Sequence, residues 1–156
     1  MIQWILSLML LLQPTAPWKD TYEQTATSIS QASKKYPIFQ GPKGTEETAT
    51  LLISVAWFES RFNPKAVGDH GKSFGLYQQQ LHVGLDKEAL FDTDVATKVA
   101  IDQFKVSFRV CRNRPIEEKL GWYAAGKDDC ERGLQESRHR MLKARWLFKN
   151  HPYKGE

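Results

Sequence analysis

The segment 46–60, EETATLLISVAWFES, constrains the fold of this chain more than any other stretch. Leu51, Leu52, Ile53, Val55, Ala56, Trp57 and Phe58 place apolar groups nearly all round a helix. A helix without a polar face cannot lie on a surface and has to be enclosed by other elements. Thr45 is the expected N-cap, Glu46 and Glu47 sit where the helix dipole favours anions, and Asn63-Pro64 ends the run. The rest of the chain offers the elements to enclose it. Tyr22, Ala26, Ile29 and Ser33 form one stripe of a helix over 19–36. Further helices are expected over 93–111, capped by Thr93, over 116–125, stopped at Gly126, and over 131–148. Residues 65–84 hold four glycines and read as an irregular or hairpin segment. The expected fold class is mainly α, with a buried central helix and a small β-hairpin, and 156 residues suit one domain.

The run IQWILSLMLLL at 2–12 is too short to span a bilayer as a plain helix, which needs roughly 20 residues. It has the length of a secretory h-region. Residues 1–17 are set apart as a signal peptide or membrane anchor, with a buried N-terminal strand or helix as the other reading, and 18–156 as the domain. Membrane contact is expected only through that N-terminal segment, and the protein is expected to be exported. Cys111 and Cys130 form an even pair, which in an exported protein reads as a disulfide, with two buried thiols as the other reading. Closing such a loop stabilises by roughly 3 kcal/mol.

The net charge of +4 favours polyanionic partners. Its densest stretch, Arg132 to Lys149, reads as the solvated face of a terminal helix, and no nucleic-acid motif accompanies it. His70, His82, His139 and His151 show no ligand spacing and there is no C-x-x-C, so neither a metal nor a cofactor is expected.

Glu59 breaks the pattern of the central helix. Leu52, Val55, Ala56 and Glu59 lie at i, i+3, i+4 and i+7, which puts a carboxyl on the apolar stripe. Burial raises a carboxyl pKa, and a carboxyl still protonated near neutrality is what a general acid needs. Outward snorkelling or pairing with Arg61 is the alternative. Downstream, GDHGKSFGLYQ at 68–78 carries three glycines and ends in the amide of Gln78, suited to sugar recognition. WYAAG at 122–126 ends a helix with an aromatic ring among small residues.

In this order the segments resemble the lytic transglycosylase and goose-type lysozyme superfamily. Glu59-Ser60 matches the family's Glu-Ser pair, framed by ISVAWFES and RFNPKAV. Gly75-Leu76-Tyr77-Gln78 matches its Gly-Leu-Met-Gln segment, and Trp122-Tyr123-Ala124-Ala125-Gly126 its Ala-Tyr-Asn-Ala-Gly motif. The resemblance covers about residues 45–130. Tyr77 stands where the family has Met and Ala124 where it has Asn. The family's further Asp after the Gln has no counterpart among Gln79, Gln80 and Leu81.

The resemblance implies a lysozyme-like fold that cleaves peptidoglycan glycan strands, with Glu59 as acid and then base, forming 1,6-anhydro-muramic ends. It gives Ser60 the role of orienting Glu59, and Gln78 and Tyr123 that of holding substrate or the acid. Tyr77 is a candidate for the sugar-stacking wall; Phe74 is another, with core packing an equal alternative. Asp69, similar to an acid of the goose-type motif, is the candidate second carboxylate of a hydrolytic lysozyme, or else caps its own glycine-rich turn. A wall-binding module that no longer cuts is the remaining alternative. The implied site of action is the periplasm or cell envelope, reached by export or carried by a phage, in the service of a secretion, pilus or phage assembly.

Overall fold

In the computed structural model, which describes residues 1–81, 85–126 and 129–155, the apolar segment forms the 17-residue helix α3 (Gly44–Ser60). Every residue from Thr48 to Ala56 is buried, as a helix apolar on all sides requires. It follows α1 (Ile2–Leu12) and α2 (Tyr22–Lys35), and precedes α4 (Lys87–Phe91), α5 (Thr93–Val110), α6 (Gly121–Ala124) and α7 (Leu134–Asn150). Helix α7 packs along one side of α3, while α1, α2 and α5 cover the others. The described residues are thus mainly helical. Where one hairpin was expected there is a small antiparallel sheet of three two-residue strands, β1 (Val67–Gly68), β2 (Ser73–Phe74) and β3 (Gln79–Gln80), with Phe74 opposite both Val67 and Gln79.

The stripe Tyr22, Ala26, Ile29 and Ser33 is buried on α2 as its spacing predicts. Two caps differ. Helix α3 starts two residues early, at Gly44, where a Cβ would stand 2.1 Å from the Phe39 carbonyl oxygen, so Thr45 lies inside the helix. Helix α5 is capped by Asp92, whose carboxylate accepts from the amides of Asp94 and Val95 (2.9 and 3.0 Å). Two such acceptances from extended backbone outcompete a hydroxyl one residue later, and Thr93 is buried against Ser28 instead. The helix expected over 116–125 is divided into a 3-10 turn, Ile116–Glu118, and the single turn of α6.

The N-terminal run behaves differently from the leader set apart above. It is helix α1, packed on α2 and α3 with Ile5, Leu8 and Met9 at most 2% exposed. The Trp4 indole donates to the His151 carbonyl (2.8 Å), and the Tyr22 hydroxyl to that of Gln13 (2.9 Å). In this structure the core therefore includes residues before position 18. An apolar run of this length suits a core helix and an h-region equally, so the pattern alone does not separate them. Among the described residues no helix is long and apolar enough to cross a membrane.

Cys111 and Cys130 form a disulfide that ties the end of α5 to the segment before α7. The Cys130 backbone lies against the start of α6, where a Cβ on Gly121 would stand 2.4 Å from its carbonyl oxygen. The crosslink thereby steadies α6, which carries Tyr123.

Candidate active site

The end of α3 sets the site. Arg61 and Phe62 both take left-handed backbone (φ 53° and 64°), and their amides return to the carbonyls of Trp57 (3.1 Å) and Ala56 (3.4 Å). This closes the helix without glycine, at a cost in backbone strain. The turn is held from both sides: Phe62 is fully buried edge-on to Tyr22, and the Trp18 indole donates to the Arg61 carbonyl (2.9 Å). The Arg61 guanidinium lies over the Trp57 ring at 4.0 Å and donates to the Trp57 carbonyl, so it turns away from Glu59. Glu59 is left in the last turn, facing a cleft of about 620 Å³.

Four elements complete the cleft. The sheet region brings Asp69, Ser73 and Gln78 to Gln80; α5 brings Gln103; α6 and the residues after it bring Tyr123 to Gly126; α7 brings Arg140. Gly75 (φ 76°) lets the loop press on α4, since a Cβ there would stand 2.1 Å from the Leu90 carbonyl oxygen. Most of the lining is uncharged hydrogen-bonding surface, as a polyhydroxylated ligand needs.

Arg140 is the functional residue that sequence reasoning missed. Its Nε and Nη2 both donate to Oε1 of Glu59, at 3.0 and 2.7 Å. Nη1 donates to the Glu136 carbonyl (3.0 Å), and the guanidinium lies 5.4 Å from the Phe58 ring centre. The Arg140 carbonyl in turn accepts from Ser54 of α3 (2.7 Å), locking the two helices in register at the pair. Burial pushes the Glu59 carboxyl above the usual carboxylate range, and the charge and hydrogen bonds of Arg140 pull it back in part. The basic stretch of α7 is not simply a solvated face: Arg138 pairs with Glu118, Arg140 with Glu59, and Arg145 with Glu117 (2.7 Å).

The other expected site residues divide into three groups. Glu59, Asp69, Gln78 and Tyr123 share the cleft. Tyr123 does not point its hydroxyl at Glu59; it donates to the Tyr77 carbonyl (2.6 Å), and burial followed by the nearby Glu59 charge keeps the phenol far from ionising. Gln78 spends its amide nitrogen on the Ala66 and Gly75 carbonyls (3.2 and 3.0 Å), so it braces the loop it belongs to. Asp69 lines the cleft and also accepts weakly from the Ser73 hydroxyl (3.4 Å).

Ser60 differs from its expected role. Its hydroxyl is directed to the Ala56 and Leu76 carbonyls (3.1 and 2.8 Å), because the left-handed closure turns it toward the loop rather than toward the carboxyl. It stitches the end of α3 to the segment that carries Gln78.

Tyr77 and Phe74 are not cleft walls. Tyr77 is fully buried, with its hydroxyl 3.2 Å from Thr97 and its ring edge-on to Phe104. Phe74 is buried against Phe91 of α4. Both are rings on a short strand or loop whose inward face fills the space between the sheet and helices α4 and α5. Among the described residues no group of three or more His, Cys, Asp or Glu side chains is placed to hold a metal ion; His82 lies outside them. No family model, curated protein or solved structure matches this chain.

Proposed function

We propose that this chain is a peptidoglycan lytic transglycosylase of lysozyme-like fold, with Glu59 as its single acid and base. The observation that carries the reading is a desolvated carboxyl, raised in pKa, at the end of the central helix and open to a polar cleft. The ordered motifs around Glu59, Gln78 and Tyr123 support it, since their segments line one cleft.

The chemistry follows from one proton carrier. Protonated Glu59 delivers its proton to the oxygen linking N-acetylmuramic acid to N-acetylglucosamine, and the bond from that oxygen to the muramic anomeric carbon breaks. The 2-acetamido group of the substrate shields the cationic carbon. Glu59, now a carboxylate, takes the proton of the C6 hydroxyl as its oxygen bonds to the anomeric carbon. The product is a 1,6-anhydro ring, and water is not consumed.

A second reading is favoured by Asp69, which lines the same cleft: there it holds a water, and the enzyme is a hydrolytic lysozyme. The disulfide supports an exported protein acting in the cell envelope, with peptidoglycan strands as substrate and a secretion, pilus or phage assembly as the machine served. The test is release of soluble fragments from purified peptidoglycan by the whole chain, since α1 belongs to the core. Wild type is expected to release them and Glu59→Gln is not. Failure of folded wild type to release any fragment would discard the enzymatic reading.

A further inference from the structure

Both guanidinium bonds that Arg140 makes to Glu59 fall on the same oxygen, Oε1. A carboxyl proton on Oε1 would face two N–H donors, so protonation there is opposed. Oε2 is left for the cleft. Arg140 is itself fixed by three contacts: the Glu136 carbonyl, the Phe58 ring, and the bond from Ser54 to its own carbonyl. With side-chain exposures of 12% and 18%, the pair is shielded from solvent but not sealed.

We propose that Arg140 is the positioning residue of the Glu59 acid: it pins Oε1, confines the transferable proton to Oε2, and holds the carboxylate left after the proton departs. This rests on the transglycosylase reading and adds the device that lets one carboxyl serve twice. When the Oε2–H bond breaks and the proton passes to the glycosidic oxygen, the negative charge stays beside a fixed cation. Oε2 then takes up the C6 hydroxyl proton from the same position. Without the cation, burial alone would hold the Glu59 proton more tightly.

The other charged or titratable groups around Glu59 do not replace Arg140. Arg61, on its own helix, is stacked on Trp57. On α7, Lys143 lies near the Trp57 and Trp146 rings and His139 stacks on Phe58. Tyr123 of α6 donates to a carbonyl, and Asp69 across the cleft is itself an anion.

The test follows the Glu59 carboxyl carbon by NMR in ¹³C-Glu-labelled protein, beside the pH profile of kcat/KM on peptidoglycan, for wild type, Arg140→Met and Arg140→Lys. Arg140→Met is expected to move the Glu59 titration, and the alkaline limb of activity, upward by about 1 to 3 pH units. Arg140→Lys restores the charge without the paired bonds, so its titration should return most of the way while kcat stays low. If Met unfolds the protein, Lys alone decides: kcat equal to wild type, with KM unchanged, overturns the positioning role. A Glu59 titration that ignores the Met substitution overturns the proposal outright. If the titration shifts as expected but wild type cuts no peptidoglycan, the transglycosylase reading fails while Arg140's hold on the Glu59 proton stands.

Discussion

Among the described residues, helix α7 carries three arginine–glutamate pairs, and two of them, at Arg138 and Arg140, look alike in composition and differ in consequence. Arg138 and Arg140 are two residues apart, so they leave the helix on nearly opposite sides. Arg138 meets one oxygen of Glu118, and the other lies 3.5 Å from the Arg114 guanidinium without a hydrogen bond. Arg140 meets Glu59 through one oxygen only, and the cleft lies on the other side. A carboxylate with a cation beside each oxygen is a brace between chain segments. One bound at a single oxygen and largely shielded from water suits the proton carrier proposed for Glu59. The difference lies in what stands opposite the second oxygen.

Substitution can break this contrast at either pair. The largest effect is expected on activity: Glu59→Gln should lower release of peptidoglycan fragments by about 10²- to 10⁴-fold, the contribution of a positioned general acid. Glu118→Gln should leave turnover per folded molecule within about twofold, as measured in the same assay. Next comes stability. Glu118→Gln should cost about 1–2 kcal/mol in urea unfolding, less than a sealed ion pair because Arg138 and Arg114 are 50% and 35% exposed and regain water. Glu59→Gln is read from its pH dependence. The Glu59 pKa is raised in the folded protein, so its contribution to stability is full below the usual carboxylate range and lost as pH rises through the folded value. The melting temperature of the variant relative to wild type should therefore rise between pH 4 and pH 7, by a margin that shrinks toward pH 4. A margin that grows on acidification would mean the ion pair outweighs burial. The smallest effect is expected at Tyr77→Phe, which loses one hydroxyl contact to Thr97. It should cost about 1 kcal/mol and leave the products unchanged, as befits a core ring rather than a sugar platform.

The parts of this molecule legible in the sequence are those where one local pattern decides. An all-round apolar helix had to be central, and the place of Glu59 at i+7 of its stripe made burial one of its two readings, beside snorkelling or pairing with Arg61. The stripe from Tyr22 to Ser33 and the Cys111–Cys130 pair were legible for the same reason. Arg140 was not, because nothing local separates it from the five other cations between Arg132 and Lys149; its partner lies 81 residues away. The inward setting of Tyr77, against Thr97 and Phe104, and of the Ser60 hydroxyl, on the Leu76 carbonyl, rests on contacts distant in sequence that no local pattern marks. The reading of residues 1–17 stayed divided because an apolar run of that length has the same signature in a core as in a leader. The asymmetry is physical: periodicity reports which face is buried, and it does not report what waits on the other side.

The account turns on Glu59 as a single carboxyl that gives a proton and takes one back. Mass spectrometry of the fragments released from purified peptidoglycan by the whole chain tests this most directly. Termini of 1,6-anhydro-muramic acid, absent from a Glu59→Gln digest, are the predicted result. Reducing termini heavier by one water would contradict it and move the second half of the reaction to a water held by Asp69.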